Sequence, residues 1–230
     1  MAVNHGIPGE WARVRGTILS MWPLFLAFTF FGIFLAALIW KIHVMENLCL
    51  FVLSVVAVLL LWRKGAHRVK SFFIGARGEE RVAGALLTLG DEWHVFNDFV
   101  ANGIHVDHVA VGPSGVFAVE TKNWRGAVTV EEGHILVDGS LPTRDPLAQT
   151  LHQADAVKAA LSKAGWTGGV TPVLCFASDT FDMLGTGLVT VGGVTVINAS
   201  LLSGTLEDMP QAIAPQQLER LSQLMETMGV

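Results

Sequence analysis

Ile104-His105-Val106-Asp107-His108-Val109-Ala110-Val111, the turn Gly112-Pro113-Ser114-Gly115, and Val116-Phe117-Ala118-Val119-Glu120-Thr121-Lys122 together decide how this chain is read. Two runs rich in β-branched and aromatic residues flank a Gly/Pro turn, the pattern of a β-hairpin. With strands symmetric about the turn, Val111 faces Val116, and every earlier residue follows in register, so Asp107 stands opposite Glu120. Side chains alternate along a strand. Glu120 and Lys122 therefore share a face with Val116 and Ala118, while Phe117, Val119 and Thr121 point the other way.

Directly opposed side chains have Cβ atoms about 4.5 to 5.5 Å apart, and like charges so placed are destabilising. A divalent cation relieves the repulsion, because hard ions such as Mg²⁺ are held by one or two carboxylates together with water and substrate phosphate oxygens. Lys122, on the same face, would orient an attacking water or stabilise charge building on a phosphate. Those are the parts of a phosphodiesterase. Glu-Thr-Lys alone is a common pattern on solvated sheet faces. The opposed Asp107 sets it apart, since a carboxylate in an otherwise apolar strand has no structural reason to be there. One bulge in either strand would turn a carboxylate away, so the expectation depends on register.

Upstream, Leu19 to Trp40 runs 22 residues without a charge, about 33 Å as a helix and enough to cross a hydrocarbon core. Pro23 falls in the first turns of that expected helix, where it does least harm. A second apolar run, Leu48 to Trp62, has 15 residues. Extended back through Val44 it takes in Glu46 and Asn47, and Trp62 would be an interfacial anchor; a re-entrant or buried helix is the alternative. Lys41 to Asn47 is too short for a domain, so residues 19–62 are expected to form a transmembrane helical hairpin in contact with lipid. Its helices also offer a surface for a homo-oligomer.

Arg13 and Arg15 precede the first run, Arg63, Lys64, Arg68 and Lys70 follow the second, and only Lys41 lies between them. The positive-inside rule then places both ends in the cytoplasm, giving a two-pass protein of the cell membrane with its soluble domain facing the cytoplasm. A cleaved signal peptide is discounted: the first apolar core exceeds the usual length of about 7 to 15 residues and no small-x-small cleavage site follows. Cys49 and Cys175 have no metal or disulfide spacing and read as small buried hydrophobes.

Charge divides unevenly. Residues 1–70 carry +5 and residues 71–230 carry −10, for −5 overall. An acidic soluble part counts against broad nonspecific affinity for nucleic acid, which comes mainly from Lys and Arg neutralising phosphates. A bound cation would offset this locally, and the simplest role of the basic stretch after the second run is contact with anionic headgroups.

The chain is accordingly divided into a cytoplasmic N-terminal segment (1–18), the hairpin (19–62), a basic juxtamembrane linker (63–73), a soluble domain (74–200) and a C-terminal helical segment (201–230). Gly75-Ala76-Arg77-Gly78-Glu79-Glu80-Arg81 opens a helix with apolar positions Val82, Leu86 and Leu89, ended by Gly90. A short strand follows near Trp93 to Phe96, then the hairpin, then strands at Ala127 to Val130 and Ile135 to Val137 about the turn Glu132-Gly133. Asp145-Pro146 starts a helix. Leu147, Leu151, Ala154, Lys158 and Leu161 form a stripe expected to pack on the sheet, with Gln149 and Gln153 together on another face. Val170 to Phe176 and Val194 to Ile197 read as buried strands, Gly185 to Gly193 is ambiguous, and Gln216 to Met228 reads as an amphipathic helix. This order predicts an α/β domain with a mixed sheet flanked by helices.

The set Gly75-x-x-Gly78-Glu79, His105-Val106-Asp107-His108, Gly112 to Asn123, Gly126 and Asp145-Pro146-Leu147-x-Gln149 resembles the nuclease-related domain (NERD) family, which is assigned to the PD-(D/E)XK restriction-endonuclease-like group. The resemblance covers roughly residues 74–200. It implies a restriction-endonuclease-like fold and a metal-dependent nuclease using Mg²⁺ or Mn²⁺ on nucleic acid, with DNA the expected substrate. Glu79 matches the acid on the first helix, Asp107 and Glu120 the metal-binding pair, Lys122 the lysine of the motif, and Gln149 the glutamine bordering the site. His105 departs from the expected asparagine. In the assumed register it faces Lys122, and His108 points away from Asp107 into a structural role. Glu79 and Glu80 read alternatively as helix N-terminal acids, and Asn123, Trp124 and Arg125 as part of a turn. The rival expectation is a catalytically inactive nucleic-acid- or protein-binding module tethered to the membrane.

Overall fold

The computed structural model describes residues 1–41, 43–178 and 187–228. It divides into two compact units, Trp11–Ile74 and a sheet unit of Met1–Glu10 with Gly75–Val230. In chain order the elements are β1 (Val3–His5), α1 (Glu10–Ile39), α2 (Val44–Leu86), β2 (His94–Ala101), β3 (Ile104–Gly112), β4 (Gly115–Lys122), β5 (Val128–Glu131) and β6 (His134–Val137). Then follow α3 (Pro146–Lys163), β7 (Thr171–Phe176), β8 (Leu188–Val191), β9 (Val194–Asn198), α4 (Ala199–Glu207) and α5 (Pro215–Met228).

The apolar unit contains two helical stretches, Glu10–Ile39 and Met45–Arg63, long and apolar enough to cross a membrane, each with a mean hydropathy of 2.2 and little of it buried within the molecule. Phe34 stacks on Phe51 at 5.0 Å, joining the two helices. Both helices are longer than the apolar runs predict. α1 begins at Glu10, which puts Pro23 in the helix interior and not in its first turns. The helix continues past it without the backbone bond that proline cannot donate. α2 runs unbroken from Val44 to Leu86, so the expected linker and the helix expected to open at Gly75 are one element. The stretch from Arg63 to Gly75 contains no proline, and isolated glycines cost only about 1 kcal/mol each against alanine.

The sheet unit is a mixed seven-stranded sheet in the order β1-β2-β3-β4-β7-β9-β8, flanked by helices. β1 is parallel to β2, and β4, β7 and β9 are parallel to one another. The remaining neighbours are antiparallel. β5 and β6 form a separate hairpin. Its turn residues Glu132 and Gly133 both have positive φ, 49° and 80°, as a two-residue turn that follows strand twist requires. Residues 1–10, set apart from sequence as a terminal segment, instead add an edge strand to this sheet. Of the glycine-rich stretch 185–193, Gly185 and Thr186 lie outside the described residues; Leu188–Val191 forms the other edge.

Apolar side chains fill both faces. Val116 and Ala118 join Val109, Val111, Val157 and Leu161 on one face, covered by α3 and α5. Phe117 and Val119 join Val82, Leu86, Val173, Leu202 and Leu206 on the other, covered by the end of α2 and by α4. Side chains thus alternate across β4 as predicted.

Candidate active site

The hairpin register is the one its turn dictates. His108 pairs with Val119, Val109 with Ala118, Val111 with Val116 and Gly112 with Gly115, with no bulge between. The ladder stops one residue short of the two acids. There the Asp107 Oδ2 accepts the Thr121 N–H at 2.8 Å, replacing a strand–strand bond with a side-chain one. Asp107 and Glu120 therefore remain neighbours without being a ladder pair.

Both carboxylates are buried, and each is accommodated differently. Glu120 is saturated. Its Oε1 accepts from Lys122 Nζ and from Gln149 Nε2 (2.6 Å), and its Oε2 accepts from Gln153 Nε2 at 2.6 Å. Lys122 also donates to Gln149 Oε1 at 3.0 Å. Among the described residues, no lysine or arginine forms a salt bridge with Asp107. Burial, then the charges of Glu120 and Glu79, push its carboxyl well above the usual carboxylate range; the Thr121 N–H and the more distant Lys122 only partly oppose this. The repulsion expected from the sequence is thus real, and this chain meets it with an ammonium on one acid and a favoured proton on the other.

Glu79 reaches the site because α2 passes close to the end of β4. A Cβ on Gly78 would lie 2.6 Å from the Asn123 Cβ, a distance real structures do not allow, so glycine is needed there. Gly75, by contrast, has open space around it. Glu79 is buried and Glu80 exposed. With α2 starting at Val44, neither is a helix N-terminal acid, which removes the macrodipole reading.

α3 brings the glutamines. Asp145 caps it by accepting the Leu147 N–H at 2.9 Å, with Pro146 at the first position as predicted. The face on the sheet, however, is Leu147, Thr150, Gln153, Ala154, Val157 and Leu161, while Leu151 of the expected stripe is exposed. Gln153 is consequently buried, and its Nε2 also donates to the His105 carbonyl at 3.1 Å. Sequence reasoning paired it with Gln149 without assigning it to the site; their separation by one helical turn is the signal that both face one ligand.

The histidines behave differently. The His105 side chain bonds toward β2: its Nε2 is 2.7 Å from Asp98 Oδ1 and its Nδ1 3.7 Å from Asp107 Oδ1. Strand β2 turns there, Asp98 having φ 51°, which brings the carboxylate to the imidazole. Burial pushes His108 down to about 4, so its ring is neutral at pH 7. Its Nδ1 donates to Asn97 Oδ1 at 2.8 Å, and Asn97 Nδ2 donates to Asn4 Oδ1 and the His5 carbonyl. His108 is thereby a structural tie across β3, β2 and β1.

Beside Lys122 and Gln149 opens a groove of about 620 Å³, lined also by Trp124, Arg125, Val137 and Arg144. Three of the eight cationic residues in 71–230 line it. Trp124 packs against Phe176 at 5.7 Å, so it is anchored at the groove edge and is more than a turn residue.

Hard carboxylate oxygens are the donor set of Mg²⁺ or Mn²⁺. The raised Asp107 carboxyl marks a place where negative charge is under-compensated, so the residues fit such an ion. The oxygens of Asp107, Glu120 and Glu79 are not drawn into one closed set within 4.8 Å. Mg²⁺ does not need one, since it keeps several waters and binds through one or two carboxylates.

Neither a curated protein nor a solved structure matches the chain. Glu79, Asp107, Glu120, Lys122, Gln149 and Gln153 all fall within residues 74–177, the stretch that matches the family model described as the nuclease-related domain, NERD.

Proposed function

We propose that this is a membrane-anchored, metal-dependent nuclease of the PD-(D/E)XK type, hydrolysing phosphodiester bonds in DNA on the cytoplasmic side of the cell membrane. The observation that carries the reading is the buried Asp107 carboxyl, pushed upward by Glu120 and Glu79 beside a lysine. Asp107 and Glu120, assisted by Glu79, would hold Mg²⁺ or Mn²⁺, which supplies Lewis-acid polarisation of a phosphate oxygen and a more acidic bound water. Lys122, fixed by Glu120 and Gln149, supplies positive charge where negative charge would build on the phosphate oxygens. Gln149 and Gln153 hold the Glu120 carboxylate in one orientation. Arg125 and Arg144 would take the flanking phosphates, with Trp124 offering a face for a base.

Two helices between β1 and β2 support an anchor with both ends on one side, because the strands on either side of them pair. One observation favours the second reading, a non-catalytic binding module: both Glu120 oxygens are already occupied by protein donors.

The test is cleavage of labelled DNA by the full chain in detergent with Mg²⁺ or Mn²⁺. The full chain is needed because a fragment starting at residue 71 lacks β1. Glu120→Ala should abolish cleavage and Lys122→Ala should lower it by about 10² to 10³-fold. Equal cleavage by Glu120→Ala rejects the assigned roles, and saturable DNA binding without cleavage by the wild type selects the binding module.

A further inference from the structure

The sheet unit gathers a second cluster of chemistry-bearing side chains that takes no part in the site above. His5 comes from β1, His94 from the start of β2 and Glu226 from α5. Among the described residues this is the one group of three or more His, Cys, Asp or Glu whose ligand atoms all lie within 4.8 Å of one another. His5 Nε2 is 3.2 Å from His94 Nδ1 and 3.7 Å from Glu226 Oε1.

Those separations allow a hydrogen bond between the two rings and an ion pair with Glu226, and they also fit a shared ion. A tetrahedral ion with ligands at about 2.0 to 2.1 Å has ligand–ligand edges of about 3.3 Å; the two distances lie on either side of that value, and the longer one is too long for a hydrogen bond. The rings are already held in place. His5 stacks on Phe96 at 4.4 Å and on His94 at 5.5 Å. Glu92 and Glu219 line the same recess with His94 and Glu226 and make it attractive to cations. Two imidazoles and one carboxylate are ligands for a borderline ion such as Zn²⁺, whereas Mg²⁺ prefers oxygen alone.

We propose that His5, His94 and Glu226 form a transition-metal site, filled by Zn²⁺ with water in the fourth position, that fastens β1 to α5. A mechanical need is visible in the fold. β1 is a three-residue edge strand paired with β2 at three positions. A metal bridge would lock it to the sheet and to the last helix, independently of any Mg²⁺ at Asp107 and Glu120.

Calorimetric titration of chelator-stripped full-length protein in detergent with Zn²⁺ tests this, alongside hydrogen exchange at Val3–His5. One equivalent should bind to the wild type and to Asp107→Asn alike, and Zn²⁺ should slow exchange in β1. Glu226→Gln, a change on an exposed helix surface that leaves folding intact, should weaken binding at least tenfold, and His94→Ala should abolish it. No binding by the wild type overturns the proposal. So does Zn²⁺ binding that Glu226→Gln leaves unchanged, or that Asp107→Asn removes. DNA cleavage enters none of these readouts, so the nuclease reading stands or falls separately.

Discussion

Gln153 Nε2 lies 2.6 Å from Glu120 Oε2, so a residue of α3 fixes the orientation of a carboxylate buried in the sheet. A helix side chain thus does work that strand pairing leaves undone where the β3–β4 ladder ends. Gln153→Ala should cost about 1 to 3 kcal/mol, the usual penalty for stranding a buried acceptor. Leu151→Ala, two residues closer to the start of the helix in the expected apolar stripe but exposed, should change stability by less than about 0.5 kcal/mol. Equilibrium denaturation of the two variants compares them directly.

Two buried groups should give the metal-free protein opposing pH dependences. Asp107 has a folded pKa above its unfolded value, so its favourable contribution is complete below the unfolded pKa and is lost as pH rises through the raised folded one. His108 is lowered from 6.5 to about 4, so its neutral ring contributes stability that is lost as pH falls from 6.5 toward 4. Asp107→Asn, which can still accept the Thr121 N–H, should flatten the loss on the alkaline side and stabilise the metal-free chain at pH 7 and above. Thermal denaturation across pH, with and without Mg²⁺, provides the measurement; Mg²⁺ should raise the melting temperature of the wild type and not of the variant.

Arg125 and Arg144 line the groove beside Lys122 within an otherwise acidic domain. Each arginine that neutralises a phosphate adds about 0.7 to 0.9 to the slope of log affinity against log salt. Arg125→Ala and Arg144→Ala should each reduce that slope by about this amount, in filter binding to single- and double-stranded DNA at several salt concentrations. Trp124→Ala should weaken the single strand more, by about 1 to 3 kcal/mol, if a base stacks there.

Gly78→Ala should press its methyl group into Asn123 and move Glu79 away from Asp107. Overpacking of this kind costs about 1 to 3 kcal/mol. Asn123→Gly should recover the loss in the double variant, whereas Gly75→Ala should be tolerated because that position is open. A melting-temperature series on the four chains decides it.

The hairpin was legible from sequence because everything that sets it is local: a tight turn, alternation and β-branched residues fix the pairing of His108 with Val119. Asp107, Glu120, Lys122 and Gln149 come near one another for the same reason, together with a capped helix whose start Asp145-Pro146 announces. The misses are tertiary. Val3-Asn4-His5 carries no strand pattern and is a strand only because β2 offers it an edge. Gln153 falls outside the apolar stripe that hydrophobic periodicity picks out, and it is buried because a carboxylate in the sheet accepts from it. The end of α2 was read as a separate helix because charge, which interrupts an apolar run, does not interrupt a helix.

Val3 and His94 are neighbours in space, with both long apolar helices strung between them. Synthesis makes the edge strand before the two apolar helices and its partner after them, so the two can pair only after the ribosome has delivered the whole hairpin. Any bilayer those helices enter must then be crossed an even number of times, or the two ends could never meet. Closing the sheet would thus proofread insertion: a chain threaded the wrong number of times would be left with its first strand stranded across the lipid.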